Sequence, residues 1–245
     1  MLLAIDVGNT KIKLAVFEGD VLILKSAFEK IEAEKKIKKI FQDYPEVTNS
    51  VLSSVGEEDV QLLQWLENHS NLSVINHTSL FPFVNKYVTP ATLGIDRMVL
   101  AAGAVLTYPK QSRLIIDAGT CVTYDFVDAE NTYFGGAISP GLRLRYESLH
   151  NFTANLPLLY PETPERFIGD STKSSIHSGV VNGLLYEVEG FIATCKEQYP
   201  DLKIILTGGD AEFLAKSLKS TIFANCNFLL ESLNKLYLYT IQNQK

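Results

Sequence analysis

The fold is decided by the stretch Leu2-Leu3-Ala4-Ile5-Asp6-Val7-Gly8-Asn9-Thr10. Its apolar residues predict a buried strand, and an acidic residue, Asp6, stands near the end of that strand. The glycine that follows lets the backbone approach a ligand closely, while Asn9, Thr10 and successive N–H groups can point at anionic oxygens. A second apolar run comes next, and Lys13 within it supplies a positive charge. Together these features predict a tight turn that binds phosphate.

The chain repeats this arrangement in Ile115-Ile116-Asp117-Ala118-Gly119-Thr120, where an acidic residue and a glycine again follow an apolar run. Asp117 lies 111 residues after Asp6, which indicates a domain duplication rather than a short-period repeat. We therefore expect an α/β protein of two similar domains, residues 1–111 and 112–245. Their two phosphate turns should face one nucleotide in an inter-domain cleft.

Length and composition limit the classes of protein that the sequence can encode. Its 245 residues are 46% hydrophobic, enough to bury a substantial core in one or two domains. The formal net charge of −6 argues against a nucleic-acid partner. The chain lacks a run of roughly 20 apolar residues that could span a membrane, and it starts without a basic and apolar leader. We expect a cytoplasmic protein that acts without a membrane.

The cysteines and histidines do not form the pattern of a metal site or of a disulfide framework. Cys121, Cys195 and Cys226 are far apart and lack C-x-x-C spacing, so we expect buried thiols. The histidines show no metal-ligand spacing either.

Hydrophobic periodicity predicts alternating strands and helices in the first half of the chain. The first three strands should form a meander, because Gly19-Asp20 is a typical hairpin turn. The helix that follows is rich in both Lys and Glu, which indicates a solvated face rather than a binding patch. The predicted strands are 2–7, 12–18, 21–28, 50–55 and 72–75, the predicted helices are 31–44, 57–68 and 98–106, and residues 81–90 are predicted as an irregular loop.

The second half is predicted to follow the same outline and adds two glycine-containing stretches at strand ends. We expect Gly135-Gly136-Ala137-Ile138-Ser139-Pro140-Gly141 to line a site and to start a helix. Thr207-Gly208-Gly209 predicts a turn at the carboxyl end of a strand, where open α/β sheets bind ligands. The predicted strands are 114–118, 122–127, 132–138 and 202–207, and the main predicted helices run from the Ser/Thr cluster at 171–175 to Tyr199 and over 229–241.

Adjacent opposite charges, Asp96 and Arg97, lie in the first turn of the apolar helix that follows Pro90. One interpretation is structural, because an acidic residue complements the positive end of the helix dipole and an arginine can pair with a carboxylate. The other interpretation is that both residues belong to a site. Their position alone leaves both interpretations open.

Two D-x-G-T-like turns, each before a β-hairpin, and a distal Gly-Gly turn are similar to the duplicated ATPase fold of acetate and sugar kinases, heat-shock chaperone ATPases and actin. Within that superfamily the chain resembles the type III pantothenate kinases over nearly its whole length. The motifs that carry the resemblance are Asp6-Val-Gly-Asn-Thr10 with Lys13, Tyr87-x-x-Pro90-x-x-Leu93-Gly94-x-Asp96-Arg97, Asp117-Ala-Gly-Thr120, Gly135-Gly-x-Ile138-x-Pro140-Gly141 and Thr207-Gly-Gly209. The resemblance implies duplicated ribonuclease H-like domains of the actin-like ATPase type.

The resemblance also implies an activity, the ATP-dependent phosphorylation of pantothenate to 4'-phosphopantothenate in the first step of coenzyme A biosynthesis. Asp96 would accept the proton of the pantothenate hydroxyl, and Arg97 would pair with the pantothenate carboxylate. The implied pantothenate contacts are Tyr87, Gly94, Ile95, Asp96, Arg97 and Thr172, in a pocket near a homodimer interface. The implied ATP contacts are Asp6, Val7, Gly8, Asn9, Thr10, Lys11, Ile12, Lys13, Gly119 and Thr120, with Gly208 and Gly209 beside the adenosine.

The resemblance further implies two cations. Asp6 would orient hydrated Mg²⁺, a hard cation that suits carboxylate and water. Asp117 would be a ligand to the monovalent cation, K⁺ or NH₄⁺, that the resembled family requires.

Two other functions remain open at this point. A different kinase or phosphatase of the superfamily would keep both phosphate turns but would not need the stretch from Tyr87 to Arg97. A non-catalytic relative is the second alternative, because proteins of this sequence type have been described as transcription accessory factors. The presence of Asp6 and Asp96 speaks against lost catalysis.

Overall fold

The computed structural model describes residues 1–8, 10–54 and 60–243. The chain divides into two compact units, the first formed by Met1–Pro109 with Asn227–Lys245 and the second by Lys110–Cys226. In the described ranges, no helix has the length and apolar character required to cross a membrane.

A mixed sheet forms the centre of the first unit. Its strands are β1 (Leu2–Val7), β2 (Lys11–Glu18), β3 (Val21–Glu29), β4 (Asn49–Ser54) and β5 (Asn71–Ile75). A two-residue strand, β6 (Val84–Asn85), comes next in the chain and is not part of this sheet. The spatial order is β3-β2-β1-β4-β5, with the first three strands antiparallel and β4 and β5 parallel to β1. Because β1 lies at the centre of this sheet, its apolar run is buried almost without interruption.

The strands of the second unit repeat this plan. They are β7 (Arg113–Ala118), β8 (Cys121–Val127), β9 (Thr132–Pro140), β10 (Lys203–Thr207) and β11 (Phe223–Ala224). Their order is β9-β8-β7-β10-β11, with an antiparallel meander followed by two parallel strands. The two units therefore share one topology, which confirms the predicted duplication.

Helices cover the sheets and supply the rest of the core. They are α1 (Ala33–Asp43), α2 (Val60–His69), α3 (Ile95–Thr107), α4 (Leu142–Asn151), α5 (Thr172–His177), α6 (Gly183–Gln198), α7 (Ala211–Ala215) and α8 (Phe228–Asn243). Short 3₁₀ turns lie at Lys30–Glu32 and Pro90–Thr92, and one π-helical turn, Ser178–Asn182, joins α5 to α6. The amphipathic α1 buries Ile37 and Ile40 and leaves most of its lysines exposed, as its sequence pattern predicts.

The boundary between the units differs from the expected division at residues 111 and 112, because α8 at the end of the chain belongs to the first unit. This helix packs against α3, and its apolar residues Leu233 and Leu236 are fully buried. Gly103 of α3 permits the close approach, since a Cβ at that position would overlap the side chain of Ser232. A non-local contact of this kind is not visible in the local pattern of α8.

The predicted strands and helices exist, with ends that differ by a few residues. The predicted end of a strand at Val55 and the predicted helix start at Glu57 lie outside the described residues. The expectation of buried thiols was wrong, because Cys121 and Cys226 are exposed and Cys195 is only half-buried.

Candidate active site

The first phosphate turn places a buried carboxylate between two strands. Asp6 lies near the end of β1, opposite Lys13 of antiparallel β2 and opposite Ser53 of parallel β4. The hydroxyl of Ser53 donates a hydrogen bond to Oδ1 of Asp6 over 2.9 Å. Only 3% of Asp6 is exposed, so this carboxylate is held in a fixed position by the sheet.

Burial raises the pKa of Asp6 to about 6, well above its ordinary value. The positive charge of Lys13 and the hydrogen bond from Ser53 act in the opposite direction, while the carboxylate of Asp96 adds to the rise. Two carboxylates of the first unit are therefore close enough to repel each other. Such a pair is suited to a nearby cation, which would stabilise both negative charges.

The turn after Asp6 is closed by its own backbone. The N–H of Gly8 donates to the carbonyl of Lys11 over 3.1 Å, and a Cβ on Gly8 would lie 3.1 Å from that same carbonyl oxygen. Thr10 and Lys11 are exposed and Lys13 is half-buried, whereas the side chain of Ile12 is packed in the core. Ile12 can therefore serve a ligand only through its backbone. Asn9, also predicted here, lies outside the described residues, and Val7 is half-buried.

Asp96 lies in the first turn of α3, and neighbouring residues hold its carboxylate in position. Its Oδ1 accepts a hydrogen bond from the backbone N–H of Arg97 over 2.8 Å, as expected for an acidic residue at a helix N-terminus. Gly94 precedes the helix, and a Cβ at that position would overlap Oδ1 of Asp96. Both interpretations of Asp96 remain compatible with this geometry, since a carboxylate has a second oxygen.

Arg97 is buried next to an aromatic ring. Only 6% of Arg97 is exposed, and its guanidinium carbon lies 5.7 Å from the centre of the Tyr87 ring, within cation–π distance. Buried arginines are found where a carboxylate or another anion can pair with them. Ile95, also predicted as a substrate contact, has its side chain in the core and offers a ligand only its backbone.

The second phosphate turn is packed between glycines and backbone groups. Asp117 of β7 lies opposite Thr123 of β8 and Thr207 of β10. The N–H of Gly119 donates to the carbonyl of Cys121 over 2.9 Å, and Thr120 beside it is exposed. As at Gly8, the glycine N–H donates to the first residue of the next strand, but this turn is one residue shorter.

Gly208 fits against this turn because it has no side chain. Its φ of +97° is in the left-handed region, and a Cβ would overlap the carbonyl of Ala118 and Oδ1 of Asp117. Both oxygens thus lie against the Gly208 backbone, so the turn at Asp117 and the turn at Gly208 are in direct contact. Gly209 is exposed, and a Cβ there would meet open space.

Thr172 is the first residue of α5 and is exposed. Ser171 caps this helix, accepting a hydrogen bond from the N–H of Ser174 in a capping box. A cavity of about 500 Å³ lies beside it, lined by Leu149, Leu156, Thr172, Ser175, Ile176 and Gly179.

The structure thus brings Asp6, Lys13 and Asp96 into electrostatic contact within the first unit, and Asp117 to Thr120 against Gly208 within the second. The sequence analysis missed Ser53, which bonds to Asp6. In the sequence, Ser53 is only a small polar residue near the end of a predicted strand. Its contact with Asp6 depends on the parallel register of β4 with β1, which a local pattern does not reveal. Among the described residues, His, Cys, Asp and Glu side chains do not gather in groups of three or more that could hold a metal.

Known proteins of one family resemble this chain over most of its length. The family model described as type III pantothenate kinase matches residues 2–194. A type III pantothenate kinase of Flavobacterium johnsoniae is 58% identical, with 99% of this chain and 100% of the relative covered. That of Flavobacterium psychrophilum is 54% identical, with 98% and 99% covered.

Solved structures with low sequence identity show the same fold. A protein of Campylobacter jejuni assigned to the Baf family of transcriptional activators superposes with a TM-score of 0.63 at 18% identity, covering 98% of this chain and 99% of that one. The ROK hexokinase of Thermus thermophilus does so with a TM-score of 0.51 at 15% identity, covering 97% and 99%. The fold is thus the duplicated ribonuclease H-like fold of the actin-like ATPases and sugar kinases. With this fold, the matching family model and the full-length relatives, the chain belongs to the type III pantothenate kinase family, enzymes that phosphorylate pantothenate with ATP for coenzyme A biosynthesis.

Proposed function

We propose that this chain carries out the family's reaction with Asp96 as the proton acceptor for the pantothenate hydroxyl and Arg97 as the partner of the pantothenate carboxylate. The observation that carries this proposal is the start of α3, where Asp96 and the buried Arg97 stand side by side in the same unit as Asp6. Tyr87 stacks near the guanidinium, and Gly94 leaves room for the Asp96 carboxylate.

Asp96 acts mainly by aligning the hydroxyl. A carboxylate is a weak base toward an alcohol, so the proton moves late, after the bond between the transferred phosphoryl group and ADP has largely broken. The acceptor must therefore be held in line, and Asp96 is fixed for this role by its bond to the N–H of Arg97.

The first turn would bind the phosphates of ATP with Mg²⁺. The residues fit this role, because Asp6 is buried close to a second carboxylate and Mg²⁺ usually binds one or two carboxylates, water and substrate phosphates. When bound, the ion neutralises negative charge on the phosphates. Backbone N–H groups of the turn and the ammonium of Lys13 would hold the phosphate oxygens, joined by Gly119 and Thr120.

The second turn would hold the monovalent cation at Asp117. Asp117 lies near the end of β7 with two uncharged residues, Thr123 and Thr207, opposite it, and its carboxylate would be the ligand. Gly208 and Gly209 would lie beside the adenosine.

The active form would be a cytoplasmic homodimer with Thr172 in the pantothenate pocket near the subunit contact. Apolar side chains are exposed beside the helix that starts at Thr172, including Ile168 at 77% and Tyr186 at 60%. A Cβ on Gly179 or Gly183 of the same segment would meet open space, so another surface can approach closely. Ile168→Glu should lower the dimer fraction in light scattering at micromolar concentration, while Ile31→Glu, at a 96% exposed apolar residue of the first unit, should not. An active monomer would contradict this part of the proposal.

The function is tested by assaying purified protein with ATP, Mg²⁺ and K⁺ on pantothenate, acetate, glycerol and sugars. We expect phosphorylation of pantothenate alone. Turnover of another acceptor in its place would point to a different kinase of the superfamily, and no transfer to any acceptor would favour a non-catalytic role.

The role of Asp96 is tested by Asp96→Asn, which keeps an oxygen that can accept the Arg97 N–H. We expect kcat to fall by about 100-fold or more with an unchanged melting temperature and unchanged ATP binding. A purely structural role predicts a loss of stability within about 1 kcal/mol and near-normal turnover. A variant with more than about a tenth of wild-type kcat would remove Asp96 from the mechanism.

A further inference from the structure

The second phosphate turn is supported by the segment Ser139–Gly141 at the end of β9. The N–H of Gly141 donates to the carbonyl of Thr120 over 3.0 Å. A Cβ on Gly141 would lie 2.6 Å from that carbonyl oxygen and would overlap the carbonyl of Gly119. The segment and the turn are thus in direct backbone contact, and a shift of one requires a shift of the other.

Arg145 of α4 holds this segment in place. Its side chain turns back over the first turn of its own helix, where Nε donates to the carbonyl of Pro140 over 2.8 Å. Its Nη2 donates to the hydroxyl of Ser139, also over 2.8 Å, and to Oε2 of Glu187. One planar guanidinium therefore joins two consecutive residues of the segment to a carboxylate on α6, a geometry that an ammonium group cannot reproduce.

Glu187 is itself fixed by a second partner. The hydroxyl of Tyr124 in β8 donates to its Oε1 over 2.8 Å. Burial works to raise the pKa of Glu187, but hydrogen bonds from Arg145 and Tyr124 outweigh it and hold the pKa below its ordinary value. The carboxylate is therefore an ionised anchor between α4 and the sheet.

The same helix offers a comparison. Arg143 pairs with Glu147 one turn further along, and 78% of its side chain is exposed. The side chain of Arg145 is only 20% exposed, and its bonds lead to the segment that touches the phosphate turn. An exposed ion pair contributes little to the stability of a protein. A half-buried guanidinium with several acceptors, in contrast, fixes the groups that it binds.

We propose that Arg145 and Glu187 are positioning residues for ATP binding, which hold Ser139–Gly141 and thereby keep the Gly119–Thr120 turn in the geometry that receives phosphate. This inference rests on the proposed role of that turn in binding ATP. It assigns a task to the glycine- and proline-containing end of β9, which the sequence analysis expected to line a site. The segment supports the phosphate turn through its backbone contacts with Gly119 and Thr120.

The test compares Arg145→Met with Arg143→Met, two substitutions of the same type on one helix. Binding of Mg-ATP is measured by isothermal titration calorimetry, after circular dichroism has been used to check that each variant is folded. We expect Arg145→Met to weaken Mg-ATP binding by about tenfold or more, because a small displacement of a binding group has a large effect. The dissociation constant of Arg143→Met should stay within about twofold of the wild type, as should the KM of both variants for pantothenate.

A second variant covers the case in which Arg145→Met does not fold. Glu187→Gln keeps the size of the side chain and its acceptor for Tyr124, and we expect it to weaken Mg-ATP binding by a smaller factor than Arg145→Met. A lower melting temperature with unchanged Mg-ATP binding would show that the cluster is only structural and would overturn the inference. Equal losses in Arg143→Met would do the same. Nucleotide binding does not depend on the acceptor, so a wild type that binds Mg-ATP but fails to phosphorylate pantothenate would contradict the proposed function and leave this test intact.

Discussion

Asp6 and Asp117 occupy the same place in the two sheets, each one residue before the end of the strand that joins the meander to the parallel strands. Their neighbours differ. Asp6 lies opposite Lys13 on the antiparallel side and Ser53 on the parallel side, whereas Asp117 lies opposite two threonines. The duplication thus kept the backbone plan and changed the charge around the carboxylate.

We propose that this difference suits the two turns to different cations. The first turn combines a buried carboxylate with a lysine and a second carboxylate, Asp96, an arrangement for phosphate and a divalent ion. The second turn has uncharged register partners, and the proposed function assigns the monovalent ion to it. A repeated fold can therefore divide one reaction between two similar turns.

The largest effect is expected at Asp6. Asp6→Asn should lower kcat by at least about 100-fold, because it removes the charge that orients the metal. The same variant should be more stable than the wild type by about 3 kcal/mol at pH 8 without Mg²⁺, since the buried carboxyl has its pKa raised to about 6.

The sign of this stability effect can be checked against pH. A raised pKa in the folded state gives a contribution to stability that is present below about pH 4 and is lost as the pH rises through about 6. The stability advantage of Asp6→Asn should therefore grow between pH 4 and pH 7 and then level off. Urea unfolding between pH 4 and pH 8 measures the difference in free energy of unfolding between the variant and the wild type. A difference that shrinks with rising pH would show that the protein stabilises the ionised form of Asp6.

A smaller effect is expected at the glycine of the second turn. Gly208→Ala should lower the free energy of unfolding by about 1–3 kcal/mol, because an alanine at a φ of +97° is strained and its Cβ overlaps Ala118. Gly209→Ala is the matched control and should change stability by less than about 0.5 kcal/mol, since its Cβ would meet open space. Equal effects at both positions would show that the second turn does not need this close contact.

The smallest effect is expected at Ser53. Ser53→Ala removes the hydrogen bond to Asp6 that lowers the pKa of that carboxyl, and should cost about 1 kcal/mol at pH 8. The pKa of Asp6 should move further up, and the pH profile of kcat/KM should show this shift. Ser70→Ala, which removes a hydroxyl that donates a hydrogen bond to Ser50 of β4, is the control and should leave the profile unchanged. An unaltered pH profile in Ser53→Ala would show that the group whose titration changes kcat/KM is not Asp6.

Much of this arrangement could be predicted from the sequence, because its signals are local. Residues a few positions apart define three of these features: the two Asp-x-Gly turns, the charged pair at the start of α3 and the capping serine of α5. Local patterns could not identify Ser53, since its contact with Asp6 depends on which strand pairs with β1. They also could not tell which glycine of Gly208-Gly209 needs a positive φ, because that depends on the approach of Ala118.

Local sequence patterns could not predict several other features. The two-residue strands β6 and β11 are shorter than a period can reveal, and the π-helical turn at Ser178–Asn182 interrupts a helix whose apolar pattern continues through it. The placement of α8 in the first unit follows from its packing on α3. Contacts between distant parts of the chain decided these points.

The central claim is that the two carboxylates serve different cations, and one measurement tests it most directly. Initial rates of pantothenate phosphorylation are recorded for the wild type and Asp117→Asn, first against K⁺ at saturating Mg²⁺ and then against Mg²⁺ at saturating K⁺, with Na⁺ keeping the ionic strength constant. We predict that the wild type is stimulated by K⁺, that Asp117→Asn falls to the rate seen in Na⁺ alone, and that the Mg²⁺ concentration for half-maximal rate changes by less than about twofold. Equal wild-type rates in K⁺ and Na⁺, or a variant that keeps its K⁺ stimulation and instead needs more Mg²⁺, would contradict the claim.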